Sequence, residues 1–193
     1  MQRRIKTEWT LEEYHDYERT NEGKSEYLNS AIYDMVGASE AHNLITSNTI
    51  VSLGGQVRGS GCKVYPSDMR LRTPSGFYAY PDVMVICGAS QIANEGNRET
   101  MLNPTVIIEV LSPSTEMYDR TTKFAHYRSL ESLQTFLMIA QDKPYVECFT
   151  RHSGDQWLVA YFSGLDQVCD LPSVGCKLAL ADLYENVSFE LPA

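Results

Sequence analysis

The sequence has no apolar run long enough to cross a membrane, no paired cysteine motif and no segment of low complexity. Its longest nearly uncharged stretches, such as Val83 to Cys87 and Thr105 to Leu111, fall far below the roughly 18 residues that a membrane span requires. The opening MQRRIKTEWTLEEY carries a basic patch with no apolar stretch behind it, so a cytoplasmic location is expected, with neither signal peptide nor membrane anchor. Five cysteines, Cys62, Cys87, Cys148, Cys169 and Cys176, form no CxxC pair and are odd in number. Free or buried thiols in a reducing compartment are therefore expected, and a zinc site built on them is not. No repeat or Pro/Ser/Gly-rich linker divides the 193 residues, which read as a single domain over 1–193. The glycines of GGQVRGSG lack a following GK[ST], and no GxSxG, HExxH or dinucleotide fingerprint competes.

The composition that is present, 43% hydrophobic and 21% charged, excludes disordered, collagen-like and coiled-coil classes. Sixteen Lys and Arg face 25 Asp and Glu, for a net charge of -9. That balance argues against tight nonspecific nucleic-acid binding, because phosphate contacts need a basic footprint. The sign reverses locally, where Arg58, Lys63, Arg70 and Arg72 meet only Asp68. This stretch reads either as a solvated hairpin or as a nucleic-acid-binding track.

Thr10 is a good N-cap for LEEYHDYERT, with Glu12 and Glu13 in the favourable first turn. SEYLNSAIYDMV alternates around an Asn-Ser turn and predicts a hairpin at residues 25–36. Ser39 caps an amphipathic helix reaching Gly54. Strands are predicted over 62–72, 80–87 and 105–111, with SQIANEGNRETMLNP as a loop between the last two. A helix from Ser114 or Thr115 to Leu130 follows, then a run of strands with short turns and a helical turn at Ala181 to Tyr184. The class expected is α/β in the broad sense, an α+β mixed sheet flanked by helices, without the regular alternation of a doubly wound sheet.

Glu109 interrupts the run Thr105 to Leu111, a pattern expected of a strand buried on both faces. An ionised carboxylate there must be paired, neutralised or bound to a metal. Asp82 repeats the theme immediately before Val83 to Cys87, where the plainer reading is a turn cap. If the two strands are neighbours, both acids converge on one divalent cation, and Mg²⁺ takes one or two protein carboxylates with water and phosphate. Lys123 stands four residues after Asp119, with Tyr127 one turn further on, so the three share a helix face. This is either an exposed ion pair or an ammonium placed beside a scissile phosphate.

Tyr80-Pro81-Asp82, the string IEVLSPST at Ile108 to Thr115, and the D-R-x-x-K-x-x-x-Y of Asp119 to Tyr127 resemble the Uma-two endonuclease family of the PD-(D/E)XK restriction-endonuclease-like superfamily. The resemblance extends to the SEYLNS hairpin, His42, SDMRLR at Ser67 to Arg72 and FLMIAQDKP at Phe136 to Pro144, covering about residues 8 to 190. It implies a restriction-endonuclease-like core in which Asp82 and Glu109 bind metal. The superfamily lysine two residues after the second acid is here Leu111, so the resemblance assigns the amine to Lys123 on the next helix. Glu26 and His42 are expected to complete the site, His42 reading otherwise as a half-exposed helix residue, Asp68 is a further candidate, and Asp119 is expected to orient Lys123 and not to bind metal.

The expected activity is Mg²⁺- or Mn²⁺-dependent hydrolysis of DNA phosphodiester bonds by a metal-activated water, carried by Asp82, Glu109 and Lys123. The alternative is a catalytically degenerate module of the same fold acting through protein or DNA contacts, motivated by Leu111 and the acidic charge. Hydrolysis of a small phosphoester is a third reading. Late strands with a free sheet edge suggest a homodimer.

Overall fold

The computed structural model describes residues 3–21, 23–35, 37–96 and 98–189. The chain begins with β1 (Arg3–Thr7) and α1 (Leu11–Thr20). Helix α1 starts on a complete capping box, in which the Thr10 side chain accepts from Glu13 N and Glu13 Oε2 accepts from Thr10 N at 2.7 Å. Strands β2 (Ser25–Leu28) and β3 (Ala31–Asp34) form the expected hairpin. Its turn residues Asn29 and Ser30 both have positive φ, 48° and 58°, the backbone that a two-residue primed turn demands. Helix α2 (Glu40–Gln56) is capped by Ser39, whose hydroxyl accepts from His42 N.

Strands β4 (Cys62–Pro66), β5 (Arg70–Arg72), β6 (Tyr78–Ala79), β7 (Val83–Cys87), β8 (Ile92–Glu95), β9 (Arg98–Met101) and β10 (Val106–Leu111) follow. The strand expected over 62–72 is thus two strands belonging to different sheets. The loop expected between the next two strands contains the hairpin β8–β9. Gly96 at its turn has φ 59°, and a Cβ there would stand 2.6 Å from His15 Cβ, so only glycine lets this turn close on α1.

Next comes one helical segment in three pieces: α3 (Glu116–Tyr118), a π turn (Asp119–Lys123) and α4 (Phe124–Tyr127). Strands β11 (Thr135–Ala140), β12 (Tyr145–Ser153), β13 (Gln156–Ser163), β14 (Val168–Leu171) and β15 (Cys176–Ala179) precede α5 (Leu180–Leu183).

One sheet has the order β13-β12-β11-β10-β7-β4 and a second β1-β3-β2-β6-β5-β9-β8, while β14 and β15 form a separate ribbon. Pairs β10–β11 and β5–β9 are parallel, and the other ladders are antiparallel. Side chains alternate across β10. Val106, Ile108 and Val110 pack with Ile45 and Leu53 of α2, and Ile107 and Leu111 pack with Leu71, Phe77 and Tyr127 on the other side. The mixed sheet flanked by helices is therefore observed, and Glu109 projects to the side of α4.

The cysteine expectation needs correction. Cys62 and Cys87 are direct partners in the β4–β7 ladder, with Cα atoms 4.0 Å apart, and they form a disulfide. Cys148, Cys169 and Cys176 are free and buried. Sequence spacing missed the bridge because its ends meet only through strand pairing. Among the described residues no helix is long and apolar enough to cross a membrane.

Candidate active site

The ladder between β7 and β10 brings the two strand acids together. Ile108 pairs with Val83, so the next position along this antiparallel register sets Glu109 opposite Asp82. Asp82 lies in the short approach to β7 and is more than a turn cap, since its Oδ2 accepts from Val110 N at 2.8 Å across the strand boundary. The same oxygen lies 3.1 Å from Nε2 of His42 on the first turn of α2. Asp82 is 9% exposed and Glu109 3%, and both line a cleft of about 790 Å³.

Glu109 Oε1 accepts from Tyr127 Oη at 2.7 Å and from Lys123 Nζ at 3.2 Å. Lys123 Nζ also reaches Glu26 Oε1 at 3.0 Å and Asp119 Oδ1 at 3.2 Å, and sits 5.9 Å from the Tyr118 ring centre. The pairing of Lys123 with Asp119 is therefore a buried contact, with the two residues 4% and 3% exposed. The π turn explains the alignment. Phe124 N donates to Asp119 O five residues back, and this wider turn keeps Asp119, Lys123 and Tyr127 on the inner face. Outside it, Arg120 grips Glu147 of β12 with two nitrogens, at 2.7 and 2.6 Å, and Glu116 at 2.8 Å, fixing the segment against the sheet.

Burial raises the Glu109 carboxyl well above its ordinary range against the opposing pull of Lys123, and the charges of Asp82 and Asp119 push it the same way. Asp119 is raised by burial too, again with Lys123 opposing. Burial works against the Lys123 charge, but Glu109, Glu26 and Asp119 together hold the ammonium well above its ordinary value. Tyr127 is raised by burial and by Glu109, so it stays a hydrogen-bond donor.

Three carboxylates, Glu109, Glu26 and Asp119, thus contact one buried ammonium, and a fourth, Asp82, stands beside Glu109 at the cleft. Among the described residues no group of three His, Cys, Asp or Glu side chains is arranged to hold a metal ion. The pair Asp82 and Glu109 nevertheless fits a hard divalent cation, which needs only one or two carboxylates beside water and phosphate oxygens.

Other predicted residues lie elsewhere. Asp68 is at the cleft mouth, exposed, with Oδ1 3.1 Å from Lys24 Nζ. Arg58 and Lys63 are exposed near the α2–β4 connection, whereas Arg70 and Arg72 belong to β5 of the other sheet. The four do not form one track, and Arg70 corrects that expectation outright. It is 1% exposed, its Nε donates to Thr100 Oγ1, and it lies over the rings of Tyr14 and Tyr78. Arg72 pairs with Glu95 at 3.4 Å.

Sequence reasoning missed Glu18. It is buried on α1, accepts from Ser25 N at 2.9 Å, Ser25 Oγ at 2.6 Å and Tyr80 Oη, and faces Arg70 and Arg98. Ser25 precedes Glu26, and Tyr80 stands two residues before Asp82, so Glu18 ties both acid-bearing segments to one helix. The available signal was its place one turn after Tyr14 on the buried face of α1.

With this geometry in view, residues 11–181 match the model of the Uma2 family, described as "Putative restriction endonuclease", and the chain belongs to that family. Two Synechocystis sp. relatives are both described as uncharacterized. Protein slr1290 is 28% identical, covering 92% of each chain, and sll1609 is 35% identical over 80% of this chain and 88% of its own. A crystal structure of a putative nuclease belonging to DUF820 from Anabaena variabilis superposes with TM-score 0.74 at 22% identity, covering 91% of this chain and 97% of that one. That likeness bears on fold, which is restriction-endonuclease-like. Family membership adds a nuclease-like function.

Proposed function

We propose that the protein is a divalent-metal-dependent endodeoxyribonuclease. The observation that carries this reading is the excess of acid in the buried cluster, in which Glu26, Glu109 and Asp119 contact the ammonium of Lys123 and Asp82 adds a fourth carboxylate beside Glu109. A divalent cation offsets the excess, and Asp82 and Glu109 supply the hard oxygen donors that Mg²⁺ or Mn²⁺ prefers. When bound, the cation would lower the pKa of a coordinated water and polarise a phosphate oxygen.

The protein's own groups prepare that chemistry. Val110 N and His42 orient Asp82, and Tyr127 with Lys123 orients Glu109. Lys123 presents a permanent positive charge to the phosphate, where negative charge grows during attack. Glu26 and Asp119 hold that ammonium in place. Conversion of supercoiled DNA in Mg²⁺ or Mn²⁺ is expected for wild type and not for Asp82→Ala or Lys123→Ala. Equal cleavage by all three would end this assignment.

A second reading is a nuclease-derived binding module. It is favoured by Leu111, which is packed into the core where the superfamily lysine would stand. The two readings separate in a melting experiment. A metal present at 100 times its dissociation constant stabilises a real site by about 2.7 kcal/mol, and that gain should vanish in Glu109→Ala. Absence of any metal-induced shift favours the module.

A further inference from the structure

The two edges of the six-stranded sheet are built differently. Strand β4, at one edge, is five residues long and carries Lys63 and Pro66, the devices by which proteins keep a sheet edge from pairing. Strand β13, at the other edge, runs eight residues, Gln-Trp-Leu-Val-Ala-Tyr-Phe-Ser, with neither a charge nor a proline. Leu158 is 60% exposed, Val159 40% and Tyr161 64%, and Leu165 and Val168 just beyond the strand are 48% and 45% exposed.

Pairing with β12 places these side chains on defined faces. Leu158, Ala160 and Phe162 stand opposite Thr150, Cys148 and Val146, and Val159 and Tyr161 opposite Phe149 and Glu147. Both faces of the edge are therefore apolar, while Trp157 and Phe162 anchor the strand to the two cores.

We infer that β13 is the self-association surface of this protein and that its occupant is β13 of a second copy, laid antiparallel so that the two six-stranded sheets become one. Charge favours this occupant. Like-charge contacts would oppose most self-pairings in a chain of net charge -9, and the β13 ladder contains none. Geometry favours it as well, because antiparallel pairing of identical edges closes on a two-fold axis perpendicular to the sheet and leaves no further β13 edge free. Both copies then keep Leu158 on one face of the joined sheet and Tyr161 on the other.

Light scattering on the full chain during size exclusion, at tens of micromolar, is expected to give twice the 21.8 kDa of one chain. The double variant Leu158→Lys/Tyr161→Lys, at positions more than half exposed, is expected to run as a monomer with unchanged circular dichroism. Met117→Lys, at a residue 74% exposed on α3, should remain dimeric. Amide exchange over Gln156–Ser163 provides a test that needs no variant, and it should slow as wild-type concentration rises. A monomeric wild type, a double variant that stays dimeric, or concentration-independent exchange would each overturn the inference.

Discussion

At Glu109 a carboxylate occupies a position that its neighbours Ile107 and Leu111 mark as core, and burial raises it accordingly. Replacing it by a neutral isostere removes the desolvation cost and keeps an acceptor for Tyr127. Glu109→Gln is therefore expected to melt within about 1 kcal/mol of wild type, or above it, while metal-dependent hydrolysis is lost. Calorimetry paired with a cleavage assay checks this, and a variant that is both stable and active would remove Glu109 from the site. Lys123 behaves oppositely. Its removal in Lys123→Met strands three buried carboxylates, for a cost of about 3–5 kcal/mol at neutral pH. Since its folded value lies above the ordinary 10.5, the stabilisation is complete below 10.5 and fades as pH rises through the folded value. Urea titrations of wild type and variant should thus differ most near neutral pH and converge in strong alkali, where Lys123 loses its charge, and in acid, where the stranded carboxylates take up protons. A difference that persists unchanged in strong alkali would contradict this.

Elements, taken one at a time, carry the positioning. Helix α1 reaches the site through Glu18, which holds Ser25 and Tyr80 and faces Arg70 and Arg98. Glu18→Ala leaves two guanidinium groups without that carboxylate, one of them buried, and should cost about 3–5 kcal/mol in denaturant unfolding. A loss below 1 kcal/mol would show that the network contributes little. The Cys62–Cys87 bridge ties edge strand β4 to the strand entered from Asp82. Closing a loop with a sequence separation of 25 stabilises by about 3.5 kcal/mol in the chain-entropy model. Cys62→Ala/Cys87→Ala should therefore melt lower than oxidised wild type and match it once wild type is reduced.

Over the whole molecule, acidic charge would limit how the proposed nuclease holds DNA. The cations near the cleft mouth are already engaged, Lys24 with Asp68 and Ser67, and Arg98 with Glu18. Few phosphates can then be neutralised, and each contributes about -0.9 to the slope of log affinity against log salt. For Glu109→Gln, expected under the proposed function to bind DNA without cutting it, a slope no steeper than about -3 is expected. Fluorescence anisotropy over a salt series measures it, and a slope near -6 would reveal a basic track not evident in these contacts.

Local chemistry was legible in the sequence wherever one segment sufficed. Thr10 and Ser39 announced α1 and α2, Asn29-Ser30 announced a hairpin, and Glu109 stood out because a charge inside Thr105 to Leu111 has no packing reason. The resemblance carried the pairing of Asp82, Glu109 and Lys123 into one site. What depended on distant segments meeting was not legible. The split of residues 62–72 between two sheets, the Cys62–Cys87 bridge and the inward turn of Arg70 all follow from strand pairing. The π turn that aligns Asp119, Lys123 and Tyr127 has no separate signature in side-chain spacing. The sequence by itself determined which residues carry charge into apolar surroundings, since that conflict is local. Only the tertiary structure decided which charges meet, because a buried charge persists through partners that the register of β7 with β10, and the packing of α1, α2 and α4 around them, bring within reach.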